Sequence, residues 1–147
     1  MIAPVAQGMF AGDVRWGMLD NDCLDRYLAV LSGAGLGGLA RYIVGSAIAA
    51  RWGGRFPLAT FLVNITGSFL AGLLMILLTE RFTVHPNWRL FLMVGVLGGY
   101  TTFSAFQVET FTAARAGERW TALGYVLSSV IFGYAAVWLG AWLAGRK

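Results

Sequence analysis

Hydrophobic side chains fill four long stretches of this chain, and short polar turns separate them. The first stretch runs from about Tyr27 to Ala50 and is interrupted by one charge, Arg41. The second opens at Pro57, a residue suited to a first helical turn because its missing N–H costs nothing there, and continues to about Thr79. The third occupies Trp88 to Ala116, and the fourth runs from about Arg119 to Leu143. An α-helix crosses ~30 Å of hydrocarbon with ~20 residues, so each stretch is long enough to span. The pattern predicts an all-α membrane protein with four transmembrane helices and little room for a soluble domain.

The polar positions inside these stretches are not scattered. In the third, Gly98-Gly99 lowers helix propensity by roughly 1 kcal/mol per glycine, and Thr101, Thr102 and Ser104 follow at once. Neither Trp88–Leu97 nor Ala105–Ala116 spans a bilayer alone, so the spacing predicts a broken third helix. Its freed backbone groups then need protein, a cavity or an ion as partner; a simple packing kink is the competing reading. In the second stretch, Asn64, Gly67/Ser68 and Ala71/Gly72 recur at three- and four-residue spacing and share one face, opposite Leu, Ile, Val and Phe. In the fourth, Tyr125 and Ser129 are i,i+4 partners. The first holds Gly33-Ala34-Gly35-Leu36-Gly37-Gly38, which formally matches the dinucleotide fingerprint GxGxxG. No strand precedes it, and no Asp or Glu lies between Asp25 and Glu80 to hold a ribose. Gly33-xxx-Gly37 and Ala34-xxx-Gly38 instead predict a close-packing helix face.

Composition narrows the function classes. The 147 residues are 58% hydrophobic, and the net charge of +4 comes from scattered arginines without a basic run, which disfavours nucleic acid as a partner. One cysteine, Cys23, rules out an internal disulfide, and one histidine, His85, rules out a multi-histidine metal site. Residues 1–26 lack the basic start and continuous apolar core of a signal peptide and read as an N-terminal extension; residues 27–147 form the membrane domain. Four spans put the termini and the second-to-third turn on one side, with Arg26, Arg81, Arg89, Arg146 and Lys147. The other side holds Arg51, Arg55, Arg115 and Arg119. Five against four hardly chooses an orientation. Insertion both ways, and hence an antiparallel homodimer, becomes available. Trp52, Trp88, Trp120 and Trp142 lie near span ends, where an aromatic belt belongs.

Away from the span ends, charges reduce to Arg41 and Glu109, each costly in hydrocarbon unless paired, hydrated or snorkelling. There is no acidic ring for a cation pore, no Ser-His-Asp set for hydrolysis and no metal cluster for a membrane enzyme. What remains is a set of neutral donors: Asn64, Thr101, Thr102, Ser104, Tyr125 and Ser129. Donors without carboxylates suit an anion. Phe103 and Phe106 are i,i+3 neighbours whose ring edges carry partial positive charge; core packing is the plainer reading of both rings.

Three motifs in order make the chain resemble the Fluc/CrcB family of small fluoride channels. Gly33 to Tyr42 resembles the first-helix pattern GGxxGAxxRY, departing at Ala34 and Gly38; Thr60 to Phe69 is similar to TLxVNxxGSF; and Gly95 to Phe106 follows GFCGGLTTFSTF, departing at Val96, Leu97, Tyr100 and Ala105. The resemblance covers about Gly33 to Leu143. It implies an antiparallel, dual-topology homodimer in a bacterial-type plasma (inner) membrane, with two pores for passive fluoride export. Asn64 would donate to the ion, Phe103 and Phe106 would flank it, and Thr102 and Ser104 would add hydroxyls. Tyr125 and Ser129 match a polar track on the fourth helix, Arg41 the first-helix arginine and Glu109 a recurrent acid. The resemblance further implies a structural sodium ion at the dimer centre, held by main-chain carbonyls corresponding to Gly98 and Thr101. Two other classes share the size. A dual-topology small-multidrug-type exporter needs a carboxylate in the first helix, and a structural membrane subunit predicts no polar stripe across three helices.

Overall fold

A computed structural model describes residues 21–146; the expected N-terminal extension lies outside them up to residue 20. All the regular structure among the described residues is helical, and four helices are long and apolar enough to cross a membrane. Helix α1 spans Asn21–Ala49. It starts about six residues earlier than the hydrophobic pattern indicates, taking Asp22 and Asp25 into exposed opening turns. Helix α2 spans Leu58–Ile76 and runs on into a π-helical turn, Leu77–Arg81. Helix α3 covers residues 86–100: an α-turn Pro86–Arg89, a π-helical stretch Leu90–Leu97 and an α-turn Gly98–Tyr100. Helices α4 (Phe103–Arg115) and α5 (Arg119–Gly145) complete the chain.

The turns have local causes. His85 caps α3: its Nδ1 accepts from the Asn87 N–H at 3.3 Å, and Pro86 supplies the fixed φ of a first helical position. Pro57 sits one residue outside α2 as its cap rather than inside it, and its carbonyl accepts the Phe61 N–H at 3.1 Å. Gly117 takes φ +84 between α4 and α5, a left-handed conformation that glycine adopts without strain.

Two helix pairs carry the packing, and glycines set how close they come. Along α1–α3, a Cβ on Gly33 would strike the Phe91 carbonyl, one on Gly37 the Val96 carbonyl, and one on Gly99 the Ala34 carbonyl. The Gly33-xxx-Gly37 face is therefore a helix-packing face, as the spacing predicts. Along α2–α5, Gly72 lies against the Val137 carbonyl and Gly140 against that of Phe69. Among the described residues few side chains are sealed inside: Val63 and Tyr125 completely, with Leu78, Leu97, Phe106 and three alanines. Large apolar residues such as Leu31, Ile43, Val130, Ile131 and Trp138 face outward, as expected where the surroundings are hydrocarbon rather than water. The four belt tryptophans are all exposed. The chain is an integral, multi-pass membrane protein.

Candidate functional site

The polar residues converge where α3 gives way to α4. Thr101 (φ −82, ψ 157) and Thr102 (φ −149, ψ 121) are extended between two helical segments. Gly98-Gly99, which the composition marks as the interruption, is itself helical; the irregular backbone falls two residues later. Thr102 caps α4, its Oγ1 accepting the Ala105 N–H at 3.3 Å.

Asn64 holds this extended pair from α2. Its Oδ1 accepts the Thr102 N–H at 2.8 Å, and its Nδ2 donates to the Thr102 carbonyl at 3.0 Å. The amide thus matches a backbone unit as a neighbouring strand would, replacing helical bonds that the extended conformation gives up. A Cβ on Gly67, three residues on, would strike the Thr101 methyl, so the small face of α2 receives the same segment. Thr102 and Ser104 hydroxyls lie 3.3 Å apart. Tyr100, where the family pattern has Leu, places its hydroxyl 3.0 Å from that of Thr66.

Two carbonyls of the segment lose their helical donors. The Thr102 N–H, four residues after Gly98, goes to Asn64, and the Ala105 N–H, four after Thr101, goes to Thr102 Oγ1. The threonine hydroxyls do not compensate: Thr101 Oγ1 donates to Leu97, not Gly98, at 2.9 Å. The Thr101 carbonyl instead accepts from Arg41 Nη1 of α1 at 3.4 Å, a long contact. Such neutral, hard oxygens fit a monovalent hard cation by donor type, provided Arg41 yields the Thr101 carbonyl. No cluster of three or more His, Cys, Asp or Glu suited to a metal occurs among the described residues.

A second group gathers around Tyr125. Glu109 Oε2 accepts its hydroxyl at 2.8 Å, while Glu109 Oε1 accepts the Thr60 hydroxyl at 2.6 Å. Both oxygens of the part-buried carboxylate are therefore matched inside the protein. The Tyr125 ring meets Phe106 nearly edge-on, centroids 4.9 Å apart, and Phe106 meets Phe103 at 5.8 Å. Phe106 is buried, whereas Phe103 is 71% exposed on the protomer surface. Phe56, from the α1–α2 turn, adds an edge contact to Tyr125 at 5.3 Å. Ser129 lies one turn beyond Tyr125, its Oγ buried without a protein partner.

The structure thus brings Asn64, Thr102 and Ser104 together, joins Phe103, Phe106, Tyr125 and Glu109, and sets Arg41 on Thr101. Gly98 is exposed with open space beside its Cα, and Ser129 makes no hydrogen bond to the rest. Thr60 and Phe56 are participants that the sequence reading does not single out. Thr60 carries a signal, since it precedes Asn64 by one helical turn and shares its face; Phe56, in a turn, carries none.

Comparison with known proteins identifies the family. A family described as CrcB-like protein, Camphor Resistance (CrcB), matches residues 28–141. A protein of Solibacter usitatus named fluoride-specific ion channel FluC is 57% identical over 121 residues, covering 82% of this chain and 99% of its own. Proteins of the same name from Acidobacterium capsulatum and Coxiella burnetii are 47% and 46% identical, each over 82% of this chain and 97% of theirs. The chain belongs to the CrcB family.

Proposed function

We propose that this protein is a fluoride channel that lets the ion leave passively across a bacterial inner membrane. The observation that carries the reading is the 57% identity, over nearly the whole of that relative, to a protein named as a fluoride-specific ion channel. The site chemistry supports it. Fluoride is small and tightly hydrated, so passage needs several donors that replace water without trapping the ion. The side chains around Thr102 and Tyr125 offer hydroxyls, amide hydrogens and ring edges in series. Asn64 Nδ2 has a second hydrogen beyond the one given to Thr102, and the Ser129 hydroxyl is uncommitted within the protein. Phe103 and Phe106 flank the path, and Thr102, Ser104, Tyr125 and Ser129 line it.

The functional unit in this reading is an antiparallel homodimer with two pores, in which residues 86–115 form one membrane pass broken at Thr101–Thr102. The exposed Phe103 and the outward apolar face of α1 are surfaces that a second copy covers. The Gly98 and Thr101 carbonyls hold a sodium ion at the dimer centre, which supplies positive charge mid-membrane and favours anions nearby. Arg41, which donates to the Thr101 carbonyl in the protomer, gives up that contact to the ion.

The test is fluoride efflux from liposomes containing only this purified protein. Rapid, fluoride-selective efflux is expected, with loss of flux in sodium-free preparations and poor restoration by lithium or potassium. No efflux beside an active family control overturns the channel; flux indifferent to sodium overturns the ion alone. An exporter of cationic drugs is disfavoured, because the carboxylates of α1, Asp22 and Asp25, sit in its exposed opening turns.

A further inference from the structure

A cavity of about 350 Å³ opens where the start of α2 meets the ends of α4 and the α4–α5 turn, with Arg55, Glu118, Glu109, Val108 and Thr112 among its lining residues. Its wall is tied to the aromatic track, because the Glu109 carboxylate accepts the hydroxyl of the fully buried Tyr125. Its outer rim carries an ion pair: Arg55 Nε lies 3.3 Å from Glu118 Oε1, with the arginine 81% exposed and the glutamate 24%. The charged lining is therefore one arginine and two glutamates, an unexpected balance for an anion's route. Glu109 is engaged by two hydroxyl donors, whereas Glu118 offsets the arginine directly. The contact uses Nε and leaves the two Nη groups of the guanidinium for a ligand. The other arginines of this end with defined contacts point elsewhere: Arg51 Nη1 donates to the Ala47 carbonyl, and Arg115 stacks on Phe111.

We propose that Arg55 collects fluoride at the mouth of this cavity, and that Glu118 is a positioning residue that sets how much of the arginine's charge the ion meets. This rests on the channel reading. An exposed pair of this kind contributes little to stability, but a charge at the rim of a narrow cleft alters the local concentration of the permeant ion. The effect belongs to capture at low fluoride rather than to the interior of the pore. It is also screened by salt, since the arginine is exposed.

The experiment measures initial fluoride efflux from liposomes at low and at high internal fluoride for wild type, Arg55→Gln, Arg55→Lys, Glu118→Gln and Arg55→Gln/Glu118→Gln. Arg55→Gln is expected to lower the low-to-high flux ratio by about three-fold, the size of one screened charge at cavity distance. Glu118→Gln raises the ratio by a similar factor, Arg55→Lys keeps it, and the double variant returns to about the wild-type ratio because both charges of the pair are gone. High concentrations of an impermeant salt compress these differences. Wild-type efflux with ratios that neither single substitution shifts overturns the proposal alone, as does a double variant whose ratio stays at that of Arg55→Gln. Absence of wild-type efflux overturns the channel reading and this proposal with it. A variant that fails to assemble is replaced by Arg55→Ala or Glu118→Ala, judged by the same ratio.

Discussion

Asn64 commits an acceptor and a donor to the backbone of Thr102, so its proposed role in ion passage and its role in holding the segment are joined in one side chain. Asn64→Asp keeps the acceptor and replaces the donor with a second oxygen facing a carbonyl. Fluoride flux is expected to vanish, and the assembled protein to lose about 1–3 kcal/mol of stability, the cost of an unmade buried hydrogen bond; efflux and thermal unfolding in detergent check the two. Ser129 provides the contrast. Its buried Oγ bonds to nothing in the protein, so Ser129→Ala removes a polar atom that folding leaves unmatched. Stability should hold or rise while flux falls several-fold. The neighbouring Ser128 hydroxyl donates to the Tyr125 carbonyl at 3.2 Å, and Ser128→Ala should leave flux near wild type. Equal flux in Ser129→Ala and wild type would remove Ser129 from the ion's route.

At the scale of elements, the glycine faces decide which helices touch. Gly37 on α1 has no space for a side chain, with the Val96 carbonyl and the Tyr100 N–H in the way, whereas Gly35 on the same helix faces open space. Gly37→Leu is expected to push α3 off α1 and abolish monodisperse protein, a cost above the usual 1–3 kcal/mol of overpacking, roughly, because backbone is what it strikes. Gly35→Leu leaves the α1–α3 contact intact, and size-exclusion profiles of the two variants separate the outcomes. These faces were legible in the sequence because small residues at four-residue spacing inside an apolar run have few other uses. The four spans were legible for a similar reason: continuous hydrophobicity over twenty residues admits little besides a membrane helix. The irregular backbone was less so. Two adjacent glycines mark a weak point, yet Gly98–Tyr100 stays helical and the extended residues are Thr101 and Thr102. What selects them is an amide 38 residues away in sequence, a tertiary cause that local propensity does not contain. The same limit hid the matching of Thr60 and Tyr125 on Glu109. The π-helical stretch Leu90–Leu97 has an ordinary apolar composition, and nothing in those residues announces it.

At the scale of the molecule, the question is which way the protein lies in the membrane. The two ends of the bundle are defined by contacts: Arg81 Nη2 donates to the Arg146 carbonyl at 2.7 Å at one end, while Arg55 pairs with Glu118 at the other. Arg146 also stacks on Trp142 at 4.2 Å, so cations at both ends are tied to belt or turn residues rather than gathered on one side. With five basic residues near one end and four near the other, the translocation machinery has almost no bias to read. Terminal tags are therefore expected on both faces of the same membrane, in comparable amounts. Adding three lysines beside the C-terminus should fix one orientation, and adding three to the α1–α2 turn should fix the other. If the channel is an antiparallel pair, each biased variant alone loses flux, because every copy then points the same way. Co-expression of the two restores it, since opposite copies meet again. A parallel dimer or a working monomer predicts the reverse: each variant alone keeps its flux, and mixing adds nothing. Restoration by co-expression is hard to obtain from a folding defect, because both proteins carry the same defects before and after mixing; only their relative orientation has changed.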